Sequence, residues 1–226
     1  MTVRHPAVAG QFYPNSEMQV RAEVEAAFRS PLGPGEIPQV AREGERSIVG
    51  AMVPHAGWMY SGAVAAHVYA ALARDGLPET FIIMGPNHHG AGAPVATTTM
   101  DFTTPLGVVA IDQEIAGRLG RIVVDDPTPH RFEHSIEVQL PFLQYLSEEV
   151  NIVPISMAAQ DPQTAAEVAA EIRNAVGDKD VVILASSDMS HYVPAEVARK
   201  NDMAVIDKVL ALDALGIYDE VSRLNV

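Results

Sequence analysis

The decapeptide FIIMGPNHHG, residues 81–90, is an apolar run broken at Gly85-Pro86 and followed by two adjacent imidazoles, His88 and His89. Histidine is the commonest metal ligand and the usual proton carrier near neutral pH. The chain has eight: His5, His55, His67, His88, His89, His130, His134 and His191. Three short apolar runs each deliver one just past their carboxyl end. His55 follows SIVGAMVP, His88 and His89 follow TFIIMG, and His191 follows DVVILASSD. If those runs are parallel strands of one sheet, the histidines meet at one edge, where α/β proteins place their ligand sites. The chemistry open to such a group is metal binding or proton transfer. Spacing alone does not choose between His88 and His89.

Two further stretches carry chemical side chains. In SSDMSHY, residues 186–192, Asp188 precedes His191 by three positions and is expected to orient its ring and fix its tautomer. A hydrolytic triad built on Ser186, Ser187 or Ser190 is disfavoured, because the chain contains no G-x-S-x-G elbow to expose a serine. In FEHSIEVQLPF, residues 132–142, His134 and Glu137 share a helix face if the helix begins by then. His134 then acts as an acid/base or outer-shell group held by a carboxylate. His67 falls within an alanine-rich helical stretch. His130 ends the polar loop DDPTPH and is expected to be solvated, and His5 sits in an irregular N-terminal segment. Tyr13, Trp58, Tyr60 and Tyr192 flank these motifs, either as an aromatic wall around a ring or peptide or as ordinary packing.

The elements that must position these residues alternate along the chain. Helical spacing covers 16–28, and an apolar strand 47–54 leads through a loop, HAGWMYSG, to a helix over 63–74. A strand follows at 80–85. The β-branched runs APVATTT and GVVAI are joined by the turn-like DFTTPL. A helix capped by Asp112 runs to Leu119, and another spans 135–146, kinked or restarted at Pro141. VNIVPISM reads as a strand, and Asp161-Pro162 opens the helix that follows. DVVILASSD is the last strand, and one long helix over 194–213 closes the pattern. Uniformly apolar strands alternating with helices predict an α/β fold, with a mostly parallel central sheet and helices on both faces.

Bulk composition narrows the function. With 226 residues the chain suits a single α/β domain, and 48% hydrophobic against 19% charged residues is ordinary for a globular protein. A formal charge of −14 repels phosphate backbones and anionic membranes, so no nucleic-acid and no membrane partner is expected. The N-terminus lacks the apolar core and cleavage site of a signal peptide, which points to the cytoplasm. There is no cysteine, so no thiolate zinc site can be built from this chain.

Five motifs in register, HPAVAGQFYP, VPHAGWMYSG, GPNHHG, EHSIEVQLPF and SSDMSHY, are similar to those of the Memo family. In archaea and bacteria that family is also called AmmeMemoRadiSam system protein B. The similarity runs from about residue 4 to the last residue. It implies a LigB-like fold resembling class III extradiol dioxygenases, the non-haem iron enzymes that open catechol rings. It makes His55 and His88 metal ligands, gives His191 the acid/base position, and puts Asp188 and His134 in the same pocket. Fe(II) is the implied metal, with copper or zinc also suited to imidazole. Family members continue into a Cys-Gly motif whose cysteine is the third ligand. This chain ends at YDEVSRLNV, so the resemblance implies a single domain over 1–226 that lacks the family's C-terminal segment. The implied functions are a metal-dependent, dioxygenase-like oxidoreductase or, alternatively, a non-catalytic module that binds a small molecule, peptide or protein in the same cleft. The family name further implies radical-SAM and AMMECR-type partner proteins.

Overall fold

The apolar runs form strands because each is covered twice. In the computed structural model, which describes residues 3–226, Thr80–Pro86 shows the arrangement most clearly. Successive strand side chains point to opposite faces. Phe81 and Ile83 pack with Phe28, Tyr69 and Phe142 on one side, and Ile82 packs with Ile115, Val168 and Ile172 on the other. Neither face is wet, so no polar alternation interrupts the run.

In chain order the elements are α1 (Glu17–Arg29), β1 (Gly50–Val53), α2 (Trp58–Asp75), β2 (Thr80–Pro86), β3 (Val95–Thr97), β4 (Phe102–Thr104), β5 (Gly107–Ile111), α3 (Gln113–Arg118), β6 (Val124–Asp125), a 3-10 turn (Glu137–Gln139), α4 (Leu140–Leu146), β7 (Asn151–Met157), α5 (Pro162–Val176), β8 (Val181–Ser186), α6 (Ala195–Leu210) and α7 (Ala214–Leu224). The sheet order is β1-β8-β2-β7-β3-β6, with β5 also paired to β7 and β4 to β5. Strands β1, β8, β2, β7 and β5 run parallel, while β3 is antiparallel to β7 and β4 to β5. Helices α1, α2 and α4 contribute to the core on one face, α3 and α5 to that on the other. The fold is the expected α/β architecture with a mostly parallel sheet between helices. Among the described residues, no helix is long and apolar enough to cross a membrane.

Local signals set several boundaries. Asp112 accepts hydrogen bonds from the backbone of Glu114 and Ile115, and Asp161 from that of Gln163 and Thr164, so both cap their helices as their side chains predict. Pro141 restarts the chain as α4 after the 3-10 turn, occupying the first helical turn where its missing N–H costs nothing.

Four features depart from the sequence reading. Helix α2 begins at Trp58 and absorbs most of what reads as a loop. Its Ser61 and Gly62 serve close packing: Ser61 Oγ donates to the Ala56 carbonyl, and a Cβ at Gly62 would lie 3.3 Å from Trp58 Cβ. DFTTPL is not all turn, since Phe102–Thr104 pairs with β5. The short strand β6 was not anticipated. The closing helix is two helices, broken at Leu212, whose φ of 53° is left-handed, and restarted by Asp213 capping Gly216 N–H.

Candidate metal centre

Strand β8 lies between β1 and β2, so the carboxyl ends of three parallel strands stand side by side. His55 leaves β1 two residues past its end, and His88 leaves β2 likewise. The loop before the 3-10 turn brings in His134. Ring centroids are 5.3 Å apart for His55 and His88, 5.5 Å for His55 and His134, and 4.5 Å for His88 and His134. One ring nitrogen from each lies within 4.8 Å of the others, a group that could hold a metal ion.

A chain of obligate acceptors fixes the tautomer of His55. The Pro54 carbonyl can only accept, so the Gln139 amide nitrogen faces it at 2.9 Å and Gln139 Oε1 accepts from Tyr69 Oη. The same amide nitrogen donates to Ser186 Oγ at 2.9 Å. Ser186 spends its one proton on the Ser135 carbonyl at 2.6 Å, so it can only accept from His55 Nδ1 at 3.0 Å. His55 Nδ1 therefore carries the hydrogen, and Nε2 presents its lone pair. His88 reaches the same state by a shorter route. Its Nδ1 lies 2.9 Å from Glu133 Oε1 and its backbone N–H donates to Oε2 at 2.8 Å. Glu133 Oε1 also accepts from the backbone of His134 and Ser135, at 2.9 Å each. A carboxylate behind a ligand imidazole is the usual outer shell of a metal site, since it fixes the ring and raises its basicity.

The electrostatics match. Burial pushes the His55 imidazole down to about 4, against the upward pull of Asp188. Burial also lowers His134. His88 is raised, chiefly by its hydrogen bond to Glu133. Burial alone would raise the Glu133 carboxyl, but hydrogen bonds from the His88 ring and from backbone N–H groups hold it well below the usual carboxylate range. Near neutral pH the buried His55 and the half-buried His134 are thus neutral donors, the state a metal requires. The carboxylates of Glu133 and Asp188 beside them offset a divalent charge that three neutral rings cannot. The donor set, tautomers and outer-shell charge fit a bound divalent cation.

The remaining candidates divide between the border of this site and positions away from it. Asp188 Oδ1 accepts from the backbone N–H of His55 at 2.6 Å and of Ala56 at 3.1 Å, so it anchors the loop that carries His55. His191 lies at the lip with its side chain 60% exposed, and its Nε2 stands 3.6 Å from Asp188 Oδ2. The third imidazole of the cluster is thus His134, not His191. His89 turns away to the Phe132 carbonyl. His67 bonds the Leu32 carbonyl from an exposed position, and His5 is exposed. His130 corrects the solvated reading: it is 2% exposed, with Nε2 3.2 Å from the Ala96 carbonyl. Glu137 is not the partner of His134. It is fully buried and serves Arg4, Tyr13 and the backbone of Ala7 and Val8. Tyr13 and Trp58 are buried packing residues, while Tyr60 and Tyr192 are exposed, so they form no wall around the imidazoles. The ring that does touch the cluster is Phe12, 4.5 Å from His134.

Comparison with known proteins gives a match to the family described as Memo-like protein over residues 4–226. The chain belongs to the Memo family. A MEMO1 family protein of Methanopyrus kandleri is 48% identical over 230 residues, spanning 99% of this chain and 81% of the relative. Those of Sulfurisphaera tokodaii and Methanosarcina barkeri are each 45% identical, over 99% of this chain and 82% and 81% of their own lengths. The Memo resemblance read from five motifs is thereby established for nearly the whole chain.

In this Memo-family chain one glycine governs how closely β2 approaches the segment carrying Glu133 and His134. A Cβ at Gly85 would lie 2.5 Å from Ser135 Oγ and 3.0 Å from Ser135 Cβ. Ser135 is fully buried and touches both frames, through its carbonyl to Ser186 and its N–H to Glu133. Gly85→Ala is therefore expected to cost ~1–3 kcal/mol by overpacking and to weaken metal binding about 10–100-fold, as outer-shell damage does. Thermal unfolding and a chelator-competition titration read the two effects. A variant with unchanged metal affinity would show that Ser135 does not transmit position to the imidazoles.

Proposed function

We propose that His55, His88 and His134 hold a divalent metal, iron(II) by the Memo resemblance, in an extradiol-dioxygenase-like cleft that serves a metal-dependent oxidoreductase. The observation that carries this reading is the convergence of three imidazole donors within 4.8 Å, with Nδ1 of both His55 and His88 committed elsewhere. A metal bound there supplies a Lewis acid for a chelating substrate such as a diol, with dioxygen as the oxidant whose two atoms enter the product. The chain's own residues do the rest. Ser186 and Glu133 hold the two rings in one tautomer and orientation. Asp188 fixes the backbone beside His55, and its free Oδ2 faces His191. From the lip of the cleft His191 takes a proton from the substrate and returns it to the product.

The test is metal content by elemental analysis of protein purified without added metal and after iron(II) loading. About one ion per chain is expected from a single three-imidazole site, and none in His55→Ala/His88→Ala. Equal metal in parent and double variant would sink the assignment. Oxygen uptake by the iron-loaded protein over a catechol panel then tests turnover. The alternative is a non-catalytic module acting with radical-SAM and AMMECR-type partners. The apolar space beside the cluster favours it to the extent that ligands bind there without oxygen uptake.

A further inference from the structure

A cavity of about 630 Å³ lies where residues 3–7 of the N-terminal arm meet segments 98–100 and 127–132, within the usual range for small-molecule sites. None of His55, His88 and His134 lines it, and neither does any residue of α5, α6 or α7. Its charge is unlike that of the chain as a whole. Aspartate and glutamate outnumber lysine and arginine by 29 to 15. Yet among the described residues no carboxylate stands in this wall, whereas Arg4, His5, His130 and Arg131 do. Asp126, which acts on His130, accepts from the backbone N–H of Ala93 and Thr128 and is not part of the wall. Arg4 is spent on Glu137 and on the carbonyls of His130 and Glu133. Arg131 is not spent. Among the described residues its guanidinium has no carboxylate partner, and it lies 5.0 Å from the centroid of the Phe132 ring. Phe132 is itself 59% exposed, a large aromatic left in water beside an unpaired cation. His130 presents the opposite need. It is buried, its one hydrogen on Nε2 faces the Ala96 carbonyl, and its Nδ1 lone pair has no donor. Buried polar atoms are rarely left so.

We propose that this cavity binds a small aromatic monocarboxylate that carries a hydrogen-bond donor on its ring. The carboxylate pairs with the Arg131 guanidinium, whose planar fork matches two oxygens at once. The ring lies on Phe132 and against Met100, an aromatic face and a thioether that both favour a flat π system. The donor meets Nδ1 of His130. A phosphate dianion suits the wall less well, because with Arg4 committed a single guanidinium is left to oppose two charges. The proposal is independent of any metal at the imidazole cluster.

The test is an NMR titration of the full chain, in chelator so that no carboxylate can coordinate a metal. The probes are indole-3-carboxylate, its neutral amide, and 1-benzothiophene-3-carboxylate, which replaces the ring N–H by sulfur at nearly the same shape. The indole acid is expected to bind about tenfold tighter than the amide, as a charge-assisted pair requires. It is expected to bind about fivefold tighter than the benzothiophene, the worth of one hydrogen bond. Backbone shifts should gather at Ala7, Met100 and Phe132. Arg131 is exposed, so Arg131→Gln is expected to keep the fold, to weaken the acid about tenfold and to leave the amide unchanged. Equal affinity of acid and amide overturns the proposal, as does an unchanged affinity for the acid in Arg131→Gln. Equal binding of indole and benzothiophene overturns it too, since His130 would then contribute nothing. Shifts confined to His55, His88 and His134 would put the ligand at the imidazole cluster instead, and absence of binding by all three probes would leave no site here at all.

Discussion

Arg4→Met is expected to destabilise the protein by about 3–5 kcal/mol, the cost of leaving a buried charge without its partner. The side chains of Arg4 and Glu137 are 5% and 0% exposed and form an ion pair. Arg4 also donates from Nε to the His130 carbonyl at 2.9 Å and from its other terminal nitrogen to the Glu133 carbonyl at 2.6 Å, and it lies over the Phe102 ring. Methionine fills much of the volume but supplies no donor. Glu137 keeps hydrogen bonds from Ala7, Val8 and Tyr13, but its charge is then unopposed in a dry site. The expected shift in thermal midpoint is on the order of 10 °C for a chain of this size. Adding Glu137→Gln should recover part of the loss, because a neutral amide costs less to bury than an unpaired carboxylate. Urea unfolding of the parent, single and double variants measures this. A loss below about 1 kcal/mol in Arg4→Met would mean that water replaces the guanidinium at no cost, and the ion pair would not be what holds the N-terminal arm to the 130–137 segment.

That arm explains what the sequence concealed about the site. His55 and the His88-His89 pair are legible because they follow apolar runs, and parallel strands deliver their carboxyl ends to one edge whatever the intervening chain does; only the Memo resemblance chooses His88 over His89. His134 follows no strand. It arrives through a loop pinned by contacts with residues more than 120 positions away, and no local pattern carries such contacts. The resemblance places His134 in the pocket, whereas no reading of the sequence gives Glu133 a role. A carboxylate in a polar loop is normally solvated, and this one is buried because four hydrogen-bond donors, the ring and backbone of His88 and the backbone of His134 and Ser135, close around it. Glu137, three residues from His134, would share a face with it only on a helix already begun. The helical turn starts only at Glu137, so the shared face does not exist there. His191 shows the complementary limit. Its strand was read correctly, but β8 is followed by an extended loop that carries the ring outward, and the shorter reach of Asp188 links it to His55.

The elements show the same division. Strands β2, β7 and β8 were legible because double-sided burial writes itself into composition. The caps at Asp112 and Asp161 were legible because they depend on one side chain and the next three residues. The start of α2 was not, because Trp58 and Ser61 become helical by packing on Phe142 and by bonding Ala56, both tertiary events that override propensity. Nor was the break at Leu212, where neither glycine nor proline marks the turn.

His130 gives the second large expected effect, a loss of stability in mild acid. Its ring is 2% exposed, and the Ala96 carbonyl, which can only accept, fixes the hydrogen on Nε2. Nδ1 has no partner in the structure, so a second proton would be buried without an acceptor. Burial accordingly pushes the imidazole down from 6.5 to about 4, with the Arg4 charge acting in the same direction. A histidine lowered in the folded state is protonated first in the unfolded chain. The unfolded state therefore binds more protons between those two values, and stability rises with pH across that window. The contribution is fully present above about pH 6.5 and is lost as pH falls toward 4, to a total of about 3 kcal/mol. His130→Gln keeps an N–H for the Ala96 carbonyl but removes the titration. Unfolding free energies of parent and variant measured from pH 7 to pH 4 should therefore diverge, the parent falling more steeply by that amount. His55 titrates in both proteins and cancels in the difference. Parallel curves would mean that the pocket around His130 opens to water before its proton is taken up, and the acid sensitivity of the fold would then have to arise at the imidazole cluster instead.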